Sequence, residues 1–504
     1  MSVRLYPVQQ SEMPRVGYRV RVNGIDAPTD AARVSAMPYN RRWPGHQRTL
    51  DQTEGAEFLS LFADEPLTFE ITLPRPTEHV DIRPRTLGIE PELLSPTTVR
   101  FTMQKPAFCT VEPYGRHEAL HLFADTKEYS RPDTDAPSVL YYGPGVHDVG
   151  QITLTDGQTL FLDEGAVVYA CVSAIDASHI AIRGAGILDN SRNLETCLYE
   201  AHTENNTTAV NNAKRQHTIQ LEYCTDIVID GITIRDSLVY NIRPIACRGL
   251  KISNVKIIGC WRFNSDGIDM HNCEDVSIEH CFLRTFDDSI CVKGFDCYYE
   301  GDVEAAVQEA MHHGGQVYDT FRHVRVRDCT IWNDWGKCLE IGAETRAEEI
   351  CDIVFEDCAV LHVTGSVLDC CNVDYADVHD VTFRNIHVEM DEEIPVPRIQ
   401  ALDDAPYVND APGYHPALIC VEVLFHHEYS AGGSRRGINR DLLFENIDIL
   451  GGGTPAAVFS GYNETAGCRD IVLRGISVDG KRLSSEDALS LHIGNFCENI
   501  RFLP

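Results

Sequence analysis

The 504-residue sequence never approaches the roughly 18 consecutive apolar residues that a membrane-spanning helix requires, so no membrane partner is expected. Its opening, MSVRLYPVQQSEMPRVGYRV, lacks the apolar stretch of a secretory signal, which makes a soluble, unexported, cytoplasmic protein the expectation. Positive charge is scarce: 43 Lys and Arg stand against 76 Asp and Glu, a formal charge of −33. A field of that sign repels nucleic acid, anionic lipid and polyanionic substrates at long range, so no nucleic-acid partner is expected and a neutral or cationic one fits better. Cys-x-x-Cys pairs at zinc-ligand spacing are missing, and the 19 cysteines are odd in number. Neither a zinc site nor a complete disulfide framework is therefore expected, and nothing in the sequence asks for a metal or another cofactor.

What is present is ordinary globular composition, 43% hydrophobic and 24% charged, arranged in an unusual way. From about residue 140 onward one short phrase returns: HIAIRGAGI (179–187), TDIVIDGITI (225–234), EDVSIEHCFL (274–283), CDIVFEDCAV (351–360), RDLLFENIDI (440–449) and others like them. Each is a pair of alternating strands broken by a polar or glycine corner. With Asp226, Gly249, Asp275, His323, Asp352, Asp380, Asp441, Asp470 and Asn499 taken as equivalent, the steps are 23, 26, 48, 29, 28, 61, 29 and 29 residues. Units of this size bury their apolar faces only by stacking on one another. Period-2 alternation without helical stretches makes the stack a parallel β-helix, and the asparagine ladder of a leucine-rich repeat is absent. Six residues past the anchors stand Ile232, Val255, Cys281, Cys329, Cys358, Ile386, Ile447 and Ile476, an inward column in which Cys serves as a small apolar side chain.

Residues 1–125 have another texture, with strand-like runs (YRVRVN, LTFEITL, TVRFTMQ, ALHLFAD) between irregular turns, and predict a small antiparallel β-sandwich. A polar, proline-bearing linker follows over 126–138, and the β-helix occupies 139–504. The fold class is thus all-β, and oligomeric state is not legible.

Chemistry concentrates in WRFNSDGIDMHNCEDVSIEHCFLRTFDDSICVKG, residues 261–294. With Ile268, Met270, Ile290, Val292, Leu339 and Ile341 inward, alternation places Asp269, His271, Cys291 and Lys293 on the outer face. Counting two residues back from the first inward aliphatic of each coil aligns Asp266, Asp288 and Lys337, with Asp287 at the edge of that column. Carboxylates on rungs about 4.8 Å apart repel, and burial raises the pKa of at least one. Glycosidic cleavage uses such an arrangement: a protonated carboxyl feeds the leaving oxygen while ionised partners activate water, and inverting enzymes hold the two groups roughly 6.5–9.5 Å apart.

NSDGID (264–269) and DDSICVKG (287–294) resemble the paired motifs of glycoside hydrolase family 28, the polygalacturonases, and of the related dextranase family 49. The resemblance implies a right-handed parallel β-helix, preceded in family 49 by a β-sandwich. It implies Asp287 as general acid, Asp266 and Asp288 holding the attacking water, and an oligo- or polysaccharide substrate. Two departures bear on that substrate. Gly336-Lys337-Cys338 replaces a Gly-His-Gly, and Val367-Leu368-Asp369 replaces the Arg-Ile-Lys that takes a uronate carboxylate. Asp369 aligns instead with Glu340 and Asp269, an acidic column suited to sugar hydroxyls. With the net charge, this favours a neutral glycan.

Asn264, Asp269, His271, Lys293, Lys337, Glu340, Asp369 and Trp335 are the candidate substrate contacts, the two lysines serving either the sugar or the neighbouring aspartates. Trp332 and Trp335 could form a stacking platform. Glu344, Glu422 and the pairs His312-His313 and His426-His427 are weaker candidates, the latter on inserted segments (295–320 and 391–437) expected to wall one end of the groove. Two other readings stay open: a polysaccharide lyase with Lys337 as base, and a non-catalytic glycan-binding β-helix.

Overall fold

A computed structural model describes residues 3–36, 50–193, 217–296, 302–391, 398–399, 406, 408–409, 416–427, 430, 435–451, 456–483 and 489–503. From Val139 onward the strands form a right-handed parallel β-helix, each coil paired in register with the next. Its three faces are exemplified by Glu274–Glu279, Phe282–Thr285 and Ile290–Lys293, which pair with Thr320–Arg327, Thr330–Asn333 and Leu339–Ala343 on the following coil. All nine repeat anchors adopt left-handed backbone, from Asp226 at φ 54° through Gly249 at 71° to Asn499 at 52°. Asn, Asp and His tolerate that region better than other side chains, so the period read in the sequence is the period of a corner. The column from Ile232 to Ile476 is at most 2% exposed throughout and lies in one continuous core. Described cysteines are free thiols, several of them stacked coil on coil within that core.

The first 125 residues form two facing sheets. One joins Val3–Leu5, Asp30–Ser35, Thr53–Ala63, Leu120–Asp125, Phe108–Arg116 and Asp81–Arg83; the other joins Ile25–Ala27, Arg19–Val22, Leu67–Thr72, Thr98–Met103 and Glu92–Ser95. Phe69, Ile71, Val99 and Phe101 of the second meet Leu59, Leu61, Val111 and Leu122 of the first in a shared core. Pairing is not antiparallel throughout as expected: Leu120–Asp125 runs parallel to Thr53–Ala63, because the chain crosses to the second sheet between them and returns as a hairpin. The outer side of the first sheet rests on the β-helix, where Phe58, Phe108 and Phe123 pack against Tyr169, Ile258 and Phe282. Buried ion pairs cross this contact, among them Arg235–Asp30 at 3.0 Å, Lys256–Asp125 at 3.1 Å and Arg83–Glu389 at 3.1 Å.

Of the inserted segments, the first contains the helix Val303–Met311, N-capped by Asp302 and packed through Val307 and Met311 on Ile245 and Phe295. Much of the second lies outside the described residues.

Candidate active site

Ile268 pairs with Ile290 and Ile290 with Leu339, on three successive coils. These residues, with Met270, Val292 and Ile341, are fully buried inside the solenoid. Asp269, Cys291, Glu340 and Asp369 follow one another on the other side of the same strands, so the acidic column is interrupted by a thiol. Asp266, Asp288 and Lys337 are likewise consecutive, with Gly267 N donating to Asp288 O at 2.8 Å and Ser289 N to Lys337 O at 2.8 Å.

The Asp287 carboxyl folds back on the backbone. Its Oδ1 accepts from Asp288 N at 3.0 Å and its Oδ2 from Asn264 N at 3.2 Å. Asp288 Oδ1 accepts from Lys337 N at 2.9 Å. One oxygen from each of Asp266, Asp287 and Asp288 lies within 4.8 Å of the other two. Adjacent rungs and a carboxyl turned onto its neighbour's N–H bring these oxygens together.

Lys293 sits among these carboxyls. Its Nζ is 3.2 Å from Asp269, 3.7 Å from Asp288, 3.7 Å from Glu344 and 3.9 Å from Asp266, and 5.5 Å from the Tyr240 ring centroid. Lys337 Nζ donates to Glu340 at 2.5 Å and Asp369 at 3.0 Å, and Cys291 Sγ donates to the other Glu340 oxygen at 3.5 Å. Of the carboxylates close enough to share a cation, Asp266, Asp288 and Glu340 already lie beside the chain's own ammonium groups. Solvent reaches the cluster mainly at Asp288 and Lys337, whose side chains are 18% and 27% exposed.

Burial, reinforced by Asp288, pushes Asp287 well above the usual carboxylate range. Burial, with Asp269 and Asp287 alongside, does the same to Asp266. Asp269 is raised by burial against the pull of Lys293 and of a hydrogen bond shared with Asp266. Burial would lower Lys293 and Lys337, but Asp269 and Glu344 around the first, and Asp369 and Glu340 around the second, carry both well above the ordinary lysine value.

Asp269, Glu340 and Asp369 are at most 1% exposed and lie beneath the lysines. His271 is buried, donates from Nδ1 to Gly294 O at 3.0 Å, and is pushed down to about 3 by burial and by Arg243 and Lys293. Trp332 is sealed against Ala119 and Leu361, its ring 5.7 Å from that of His121, so it offers no sugar platform. Trp335 stacks on Phe286 at 5.7 Å and meets Phe263 edge-on. His313 lies on Tyr223, and His426 stacks on His427. Glu422 is in register with Cys371, three coils beyond the trio's second rung.

Two residues were missed in the sequence. Tyr240 stands two positions before inward Ile242, the same offset that picks out Asp266, and is fully buried under the cluster. Asn333 braces the turn: its Nδ2 donates to Asp287 O at 2.7 Å and contacts Ser289 Oγ at 3.2 Å, while its Oδ1 accepts from Trp335 N at 3.1 Å. Only its place two residues before Trp335 in a polar turn could have signalled it.

Residues 150–396, just under half of the chain, match the family model Glycosyl hydrolases family 28. The likeness carried by NSDGID and DDSICVKG thus extends along most of the described β-helix. A probable polygalacturonase from Vitis vinifera is 35% identical over 86 residues, 17% of this chain and 18% of the relative. A polygalacturonase from Gossypium barbadense is 24% identical over 198 residues, 37% of this chain and 46% of the relative. The chain spans less than half the length of these curated relatives. Among solved structures, Dex49A from Penicillium minioluteum superposes with a TM-score of 0.53 at 12% identity, covering 98% of both chains.

Proposed function

We propose that the chain hydrolyses glycosidic bonds of a neutral oligo- or polysaccharide through Asp266, Asp287 and Asp288. The observation that carries this is the convergence of three carboxyls from adjacent coils to within 4.8 Å, with burial holding Asp266 and Asp287 toward their protonated forms. Packing like groups in a dry site opposes folding, so the arrangement serves chemistry rather than stability. Asp287 gives its proton to the glycosidic oxygen as the C–O bond breaks. A water held between Asp266 and Asp288 attacks the anomeric carbon and loses its proton to Asp288, the most exposed of the three, giving a product of inverted configuration. Asp288 then returns that proton through solvent to Asp287.

A neutral substrate is supported by the cations. Lys337 is engaged by Glu340 and Asp369, Lys293 by four carboxyls, and Asp369 stands where family 28 places a uronate-binding cation. We assign Asp269, Glu340 and Asp369 to holding the lysines, and Lys337 with Asp288 to meeting the sugar. Both lysines have raised pKa values, which makes them poor bases and weighs against a lyase. A second reading, hydrolysis of galacturonan, is favoured by the names of the curated relatives.

A hydrolysis screen of neutral oligosaccharides and polygalacturonate, with nuclear magnetic resonance of the first product anomer, tests the proposal. Cleavage of a neutral glycan with inversion is expected. Cleavage of polygalacturonate alone overturns the substrate assignment, and a retained anomer overturns the water-holding roles.

A further inference from the structure

Away from the aspartates, on the face built by Glu349–Glu356 and Asp377–Glu389, a second cluster of metal-ligating groups is assembled from two coils. Cys351 and His379 are register partners, each immediately before a left-handed corner, Asp352 at φ 53° and Asp380 at φ 51°. Unlike the inward cysteines at 281, 329 and 358, Cys351 lies between inward Ile350 and Ile353 on the outside of the strand, so core filling does not account for it. Glu349 Oε1 is 2.9 Å from His379 Nε2, and one ligand atom each of Glu349, Cys351 and His379 lies within 4.8 Å of the other two.

The imidazole is also held from behind. His379 Nδ1 is 2.7 Å from Asp380 Oδ2. A carboxylate there fixes the proton on Nδ1 and aims Nε2 at the cluster, the outer contact that metal-bound histidines almost always make. The neighbouring guanidinium groups are already matched. Arg322, on the coil before, is held by Glu274 at 2.7 Å, and Arg440, on the coil after, by Asp377 at 2.9 Å and Asp441 at 2.8 Å. Glu349 keeps 42% of its side chain exposed, which leaves an approach for an ion and a place for a water ligand.

We propose that Glu349, Cys351 and His379 form a zinc site on the outer face of the β-helix. A thiolate, an imidazole and a carboxylate are the donors zinc accepts, and three protein ligands leave its fourth tetrahedral position to solvent. Binding displaces the Cys351 thiol proton and any proton on His379 Nε2 to water, with no change of oxidation state. The sequence hid the site because its ligands are 28 and 30 residues apart, on two coils, and no local spacing motif links them.

The full-length protein, stripped with a chelator and dialysed, is titrated with cobalt(II) and then with zinc. One equivalent of cobalt is expected, with a near-ultraviolet thiolate-to-cobalt absorption that zinc abolishes. Cys351→Ser removes that absorption, Asp380→Asn weakens binding by about 10- to 100-fold, and His323→Ala, at a separate His and carboxylate cluster, changes neither. Circular dichroism melts establish that each variant is folded; should Cys351→Ser not fold, His379→Gln must weaken binding by the same range. Absence of the absorption in the wild type, or its survival in Cys351→Ser or at full strength in His379→Gln, overturns the proposal.

Discussion

A carboxyl that donates a proton must still carry it at the working pH. Burial and Asp288 raise Asp287, so the alkaline limb of kcat/KM is expected well above the ordinary aspartate value of 3.8. A limb in the ordinary range would remove Asp287 from the role of acid. Lys337 tests the charge pairing. Replacing it by Met strands Glu340 and Asp369 in a site where both are at most 1% exposed. Loss of one partner from a buried pair costs about 3–5 kcal/mol, which a urea midpoint would register, whereas an unchanged midpoint would mean that the pairing is not needed. Asp266, Asp288 and Lys337 were legible from one rule, two residues before an inward aliphatic, because strand alternation and coil register are properties of the backbone. The lysine's actual partners were not, since the direction taken by a long side chain is decided by carboxylates from other coils.

The turns that carry Asp287 and Asp288 depend on close backbone approach. A Cβ at Gly336 would lie 2.5 Å from Asp288 N and 2.6 Å from Asp288 Oδ1. Gly336→Ala is therefore expected to displace the Asp287–Asp288 turn and lower kcat by at least about 10²-fold, the order of effect that misplaced groups produce. Wild-type kcat in this variant would show that the turn tolerates a shift. The coils themselves were readable because their corners need left-handed residues and their cores need stacked small aliphatics. Trp332 was not: alternation correctly sends it outward, but the outside of that face is covered by Ala119 and His121 of the sandwich rather than by water. A periodic pattern distinguishes the two sides of a strand, and only tertiary docking decides what each side meets.

The sandwich and the β-helix are joined by charged groups whose protonation is coupled to folding. His362 of the β-helix lies 2.9 Å from Glu112 of the sandwich and 2.6 Å from Asp391. Burial opposes its charge, but Asp391 and Glu112 raise it above the ordinary 6.5. Stability from a raised histidine is fully present below that value and is lost as pH climbs through the higher folded one. The difference in urea midpoint between wild type and His362→Gln should accordingly shrink as pH is raised from below 6.5, and a difference that stays constant would contradict the assignment.

For the molecule as a whole, the decisive comparison is the turnover of wild type and Asp287→Asn on the neutral oligosaccharide that the wild type cleaves, with melting temperatures recorded alongside. A loss of roughly 10²–10⁴-fold at an unchanged melting temperature is predicted for removal of a general acid. A variant that keeps most of the activity would contradict the account.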